Sequence, residues 1–138
     1  MITYKKRRIY KYNLHADYTF ETGLTVDTPG EIGPLSITAT GKLLIKKGYS
    51  WDGPSGPTID TKNFMRGALV HDALYQLMRE RVLPQSCRKR ADEILREICL
   101  EDGMSRVRAW YVFKAVRAAG AKSARPDLLQ APKTTNSG

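Results

Sequence analysis

Cysteine is scarce in this sequence: Cys87 and Cys99 are the only two. Both fall in or beside one expected helix, where a rise of about 1.5 Å per residue sets them ~18 Å apart, far outside disulfide reach. A disulfide-framed scaffold is excluded. Long apolar runs are missing as well, and no segment approaches the ~18 consecutive apolar residues of a membrane span. The basic stretch MITYKKRRIYKYNLHADY at the start has no apolar leader core of ~7–15 residues behind it. The expectation is therefore a protein made in a cytoplasm, with no signal peptide and no transmembrane segment. There is no Gly-x-Ser-x-Gly elbow, no phosphate loop, no zinc-ligand set and no Cys-His nucleophile arrangement. Acidic residues are few beside basic ones, 14 against 23, which leaves a formal net charge of +9. Such an excess favours an anionic partner, whether nucleic acid, phospholipid headgroups or an acidic protein surface.

What is present suffices for one domain. At 138 residues and 41% hydrophobic content the chain can bury a core without metal or disulfide staples. Residues 1–50 read as β-rich. RRIYKYNLHADYTFE alternates Ile9, Tyr10, Tyr12 and Leu14 with polar residues, and KLLIKKGYSW is a second apolar run. DTPGEIGPLS between them reads as a loop. Residues 51–60, WDGPSGPTID, form a Gly/Pro loop that delivers the chain to a helix capped by Asp60 or Thr61.

From 61 onward the pattern is helical. Phe64, Ala68, His71, Tyr75, Met78 and Val82 keep a 3–4 spacing, widened by Leu69, Val70, Leu74 and Leu77. Ser86 is the expected cap of a second helix over about 87–101, which buries Ala91, Ile94, Leu95 and Ile98. Gly103 closes it and Ser105 opens a third over about 106–119. It carries Val107, Trp110, Tyr111, Phe113 and Val116, with Trp110, Tyr111 and Phe113 expected in the core rather than as a base-stacking platform. The fold class is α+β: a small N-terminal antiparallel β portion, the Gly/Pro loop, then three C-terminal α-helices with an antiparallel helix pair. Residues 1–120 make the domain and 121–138 a polar tail, expected to be loose.

His71 and Asp72 stand in the middle of the first helix, RGALVHDALYQLM, where the pattern is otherwise core-like. His71 and Tyr75 share a face, and Asp72 lies about 100° round from His71. A short connection to an antiparallel second helix sets Asp92 opposite His71. Unpaired charge is not buried cheaply. One reading is a hydrogen-bonded strut between helices, with Asp72 exposed. The other has Asp92 orient His71 as a general base, with Asp72 offering a hard oxygen to a cation. The 51–60 loop, with unshielded carbonyls beside Asp52 and Asp60, suits calcium.

The remaining charges divide between solvation and binding. Arg88, Lys89 and Arg90 open the second helix, where cations oppose its dipole. They form either a solvated run or an anion-facing patch near the site. Lys5, Lys6, Arg7 and Arg8, and Arg106, Arg108, Lys114 and Arg117, are further basic groups open to nucleic acid. His15 reads as a surface residue.

Two resemblances follow from these segments. GYSWDGPSGPTID, HDALY, RKRADEI and AVRAAG resemble the signature stretches of a family of small phage and prophage proteins labelled domain of unknown function 1353, over about residues 43–120. That resemblance implies a phage origin and supplies no activity. More distantly, HDALY with Asp92 on the next helix is similar to the active-site helices of phospholipase A2, including the compact domain of parvovirus capsids.

The second resemblance implies roles for named residues. His71 would activate water, Asp92 would orient His71, and Tyr75 would hydrogen-bond Asp92. Asp72 and the carbonyls of Trp51, Gly53 and Ser55 would hold Ca²⁺, which polarises the ester carbonyl. Ser55 replaces that family's second loop glycine, Asp52 adds a charge, and the disulfides of its secreted members are absent, as in the viral domains. The expectation is a phage-encoded accessory protein with a phospholipase-A2-like His/Asp calcium site, active or degenerate, acting on a phospholipid or membrane surface. The alternative is a non-enzymatic virion or tail component bound to other virion proteins or to copies of itself. A basic nucleic-acid-binding accessory is the third.

Overall fold

The structure, a computed structural model, describes residues 4–6, 11–52, 62–120 and 124. Seven strands precede three helices: β1 (Tyr4–Lys6), β2 (Lys11–Leu14), β3 (Tyr18–Glu21), β4 (Gly30–Ile32), β5 (Leu35–Ile37), β6 (Lys42–Ile45), β7 (Ser50–Asp52), α1 (Lys62–Arg79), α2 (Arg88–Glu101) and α3 (Arg106–Ala119). The class is α+β, as the sequence implies. Two antiparallel sheets form, one ordered β1-β2-β7 and the other β3-β6-β5-β4.

Period-2 patterning builds the inner face of the second sheet. Tyr18 opposes Ile45, which opposes Leu35, and Phe20 opposes Leu43, which opposes Ile37. These two cross-strand rows put Leu35, Ile37, Leu43 and Ile45 out of solvent. At the end of this sheet Gly41 has φ +92°, and a Cβ there would collide with the Leu24 backbone and the Thr22 hydroxyl. The Thr22 hydroxyl donates to the Gly41 carbonyl at 2.7 Å. Only glycine fits this junction.

Several sequence expectations change here. The stretch DTPGEIGPLS is not simply a loop: it contains β4 and β5, turned over Gly33 (φ +52°) and Pro34. Gly-Pro punctuation marked the turn but hid the short strands on either side. Trp51 and Asp52 belong to β7 and pair with Tyr12 and Lys11, so the Gly/Pro loop starts later than expected. Its residues 53–61, with the proposed caps Asp60 and Thr61, lie outside the described residues, as do 7–10 and most of the tail. The tail's described residue, Ala124, is buried, and its carbonyl accepts a hydrogen bond from the Gln85 amide.

α1 lies between the sheets and α2. Leu69, Val70, Ala73, Leu74, Leu77 and Met78 join Tyr12, Leu14, the sheet rows and Ile94 and Ile98 of α2 in one core. A second cluster gathers Phe64, Leu95, Cys99, Met104, Ala109 and Val112 among the three helices. Gly67 permits the approach of α1 to α2, because a Cβ there would sit 2.9 Å from Leu95 Cδ1 and 3.2 Å from Cys99 Sγ. Burial pushes the Cys99 thiol up to about 12.

Helix termini follow capping rules with two departures. The α2 end is a Schellman turn: Met104 N–H donates to Cys99 at 2.9 Å and Gly103 N–H to Leu100 at 3.1 Å, with Gly103 at φ +99°. Ser105 caps α3 by accepting from Arg108 N–H at 3.2 Å. α1 ends in a similar turn, but Arg81 occupies the left-handed position with φ +66°. Ser86 does not cap α2. It sits in a 3₁₀ turn, Gln85–Cys87, and no side chain caps the helix.

The largest correction concerns α3. Its buried residues are Ala109 and Val112, whereas Val107 is 77% exposed, Trp110 48% and Tyr111 71%. Phe113 is half-buried beneath the Arg96 guanidinium. A small-residue seam lets α3 lie close to α2, and the bulky apolar residues are left outside. No described helix is long and apolar enough to cross a membrane.

Candidate active site

α1 and α2 run antiparallel: Gly67 meets Leu95 and Cys99, and one turn on His71 meets Asp92. A further turn brings Tyr75 to Asp92 and Arg88. α3 runs back along α2, with Phe113 under Arg96 and Arg117 at Asp92. Three helices therefore converge on one carboxylate, which is 0% exposed.

Each oxygen of Asp92 is held. His71 Nε2 lies 2.7 Å from Oδ1, and the Tyr75 hydroxyl donates to the same oxygen at 2.6 Å. Arg117 Nη1 donates to Oδ2 at 2.9 Å, with Arg88 Nη1 at 3.7 Å. Arg88 also donates to the Tyr75 hydroxyl at 3.4 Å. Burial alone would raise the Asp92 carboxyl. The hydrogen bonds from His71 and Tyr75 and the positive charge beside it outweigh that and hold it below the usual carboxylate range. Burial, then the bond to Asp92, raises the Tyr75 phenol, so the hydroxyl stays a donor.

An ionised Asp92 makes His71 Nε2 the donor. In the neutral ring the lone pair then resides on Nδ1, the arrangement of an oriented general base. The imidazole leans on the Tyr75 ring with centroids 4.2 Å apart, which fixes its plane. Its side chain keeps 14% exposure. One carboxylate faces two guanidiniums, which leaves local positive charge.

His71, Asp92 and Tyr75, expected to act together, are in hydrogen-bond contact. Asp72 is not the exposed residue of the strut reading. It is half-buried, and Oδ2 accepts from the Tyr49 hydroxyl at 2.6 Å. Tyr49 stands just ahead of β7, so Asp72 faces the strand that leads toward 53–61. Trp51 is buried against Tyr12 and Tyr49. Gly53 and Ser55 lie outside the described residues. Among the described residues no group of three or more His, Cys, Asp or Glu side chains could hold a metal ion.

The basic run divides. Arg88 turns inward to the site, Arg90 pairs with Glu97 at 2.8 Å, and Lys89 is exposed. Two participants escaped the sequence reading. Arg117 was grouped with the basic residues of α3, although its position four residues after Phe113 puts it beside the α2 contact. Tyr49 alternates with Trp51 along the approach to β7, a signal that it faces the same interior.

The family described as "Protein of unknown function (DUF1353)" matches residues 35–116. The chain belongs to this family. The matched span of this DUF1353 chain runs from β5 to Val116 and holds His71, Tyr75 and Asp92, while Arg117 follows immediately after it. No curated protein and no solved structure matches the chain.

Proposed function

We propose that this DUF1353 protein is a phage-encoded hydrolase of a lipid ester, with His71 as general base and Asp92 as its orienting partner. The observation that carries this reading is the buried, ionised Asp92. It fixes His71 through Nε2 while Tyr75 and Arg117 fix Asp92. Water held at Nδ1 of His71 gives up a proton to that atom as its oxygen attacks the ester carbonyl. The same proton then goes to the departing alkoxide, so the ring ends neutral.

Calcium belongs to the proposal as the group that would polarise the ester carbonyl. Asp72, whose Oδ2 accepts from Tyr49, is the acidic side chain proposed to help hold it, with backbone carbonyls from 51–55. No step above runs through the ion. The test is release of fatty acid from short-chain phospholipids, with calcium and with a chelator. His71→Asn is expected to lower the rate at least about 100-fold. No release by the wild-type protein from any phospholipid class would overturn the reading.

A second reading, a non-enzymatic virion or tail component, starts from the same cluster. Asp92 is so fully satisfied by groups from three helices that the cluster also serves as a strut. If it is only that, His71→Asn changes stability and nothing else.

A further inference from the structure

α3 turns its bulkier apolar side chains away from the protein. Val107, Trp110 and Tyr111 are exposed while Ala109 and Val112 are buried. At 100° per residue, Val107, Tyr111 and Lys114 share the outer face, with Trp110 beside them. The helix carries Arg106, Arg108, Lys114 and Arg117 and no acidic residue. The Lys114 ammonium lies over the Trp110 ring, 5.8 Å from its centre.

We propose that this outer face of α3 docks on an anionic lipid surface. Charge decides against a second copy of the chain, because two such faces would bring cations onto cations. Ring geometry decides against nucleic acid. Lys114 already covers one face of Trp110, and Val107 offers a base nothing to stack on. Aliphatic, indole and phenol groups ringed by Lys and Arg are the combination that partitions into a headgroup layer. Arg117, on the same helix, holds Asp92 at 2.9 Å, so docking brings the His71 site to the edge of the bilayer. In that last respect alone the inference rests on the lipid-ester reading.

The experiment is co-sedimentation with vesicles of phosphatidylcholine alone or mixed with phosphatidylglycerol. The wild-type protein is expected to sediment with the mixed vesicles, less so at high salt, and to ignore the neutral ones. Trp110 emission should shift to the blue, whereas Trp51, 2% exposed, contributes no shift. The Trp110→Ser/Tyr111→Ser double variant should keep its circular dichroism and bind at least roughly tenfold more weakly. His71→Asn should bind like wild type, which separates docking from hydrolysis. The proposal is overturned by no binding to anionic vesicles, by equal binding of the double variant, or by a dimer that the double variant dissolves. Loss of single-stranded oligonucleotide binding in the double variant, with vesicles ignored throughout, would do the same.

Discussion

Asp92 gathers a histidine, a phenol and two guanidiniums around one buried carboxylate. Its carboxyl titrates lower in the folded protein than in the unfolded chain, because burial is outweighed by His71, Tyr75 and Arg117. A depressed folded value means that the contribution to stability is complete above the unfolded value, near 3.8, and is lost as pH falls through the folded one. Asp92→Asn removes the charge and strands two guanidiniums, an expected loss of about 3 kcal/mol at neutral pH. It should also flatten the acid limb of stability against pH. Thermal melts of both proteins across the acid range check this, and equal acid slopes would show that Asp92 is not the group responsible. Geometry and charge thus make the same residue a candidate orienter of His71 and a structural keystone.

At the scale of elements, what holds the site together is the close approach of α1 and α2 at Gly67. Gly67→Val has no free volume to enter: even the first carbon meets Leu95 Cδ1 at 2.9 Å and the Leu95 carbonyl at 3.3 Å. The helices must part, at an expected loss of about 2 kcal/mol, within the range for overpacked cores. Urea denaturation measures it, and an unchanged midpoint would mean that the helices have slack. Much at this scale was legible in the sequence. The 3–4 periodicity of α1, the Gly103 and Ser105 boundary, the shared face of His71 and Tyr75 and the placing of Asp92 opposite His71 follow from helix geometry. The Tyr75–Asp92 bond was implied only by the phospholipase A2 resemblance. Three-residue strands such as β4 and β5 were not legible, since a stretch that short carries no period beside strong turn residues. α3 misled for another reason. Size alone places Trp110 and Tyr111 in the core, yet the positions of α3 that face it are Ala109 and Val112. Arg117 was hidden likewise, since a basic residue shows nothing of its partner until the helices are packed.

The whole molecule is tied across its layers by Arg66. From α1 its Nε donates to Asp102 Oδ2 at 3.0 Å and its Nη2 to Asp102 Oδ1 at 2.9 Å. Its Nη1 reaches the Tyr18 hydroxyl of β3 at 2.9 Å, and Nη2 also pairs with Glu101. Lysine cannot reproduce this fork, so Arg66→Lys is expected to lose about 2 kcal/mol. In a Trp110→Phe background Trp51 emission reports on the sheet and far-ultraviolet dichroism on the helices. One shared core predicts that both shift together to lower urea, and separate transitions would show that sheet and helices unfold independently. α3 is held in two ways, by Ala109 and Val112 in the second apolar cluster and by Arg117 on Asp92. Peeling it away exposes that seam and withdraws Arg117 from the carboxylate. Part of the penalty for opening is therefore electrostatic, and that part falls once Asp92 takes a proton. Backbone amides of α3 should then exchange with solvent by a local opening in acid while those of α1 remain protected, a seam that unzips from the outside before the fold as a whole gives way.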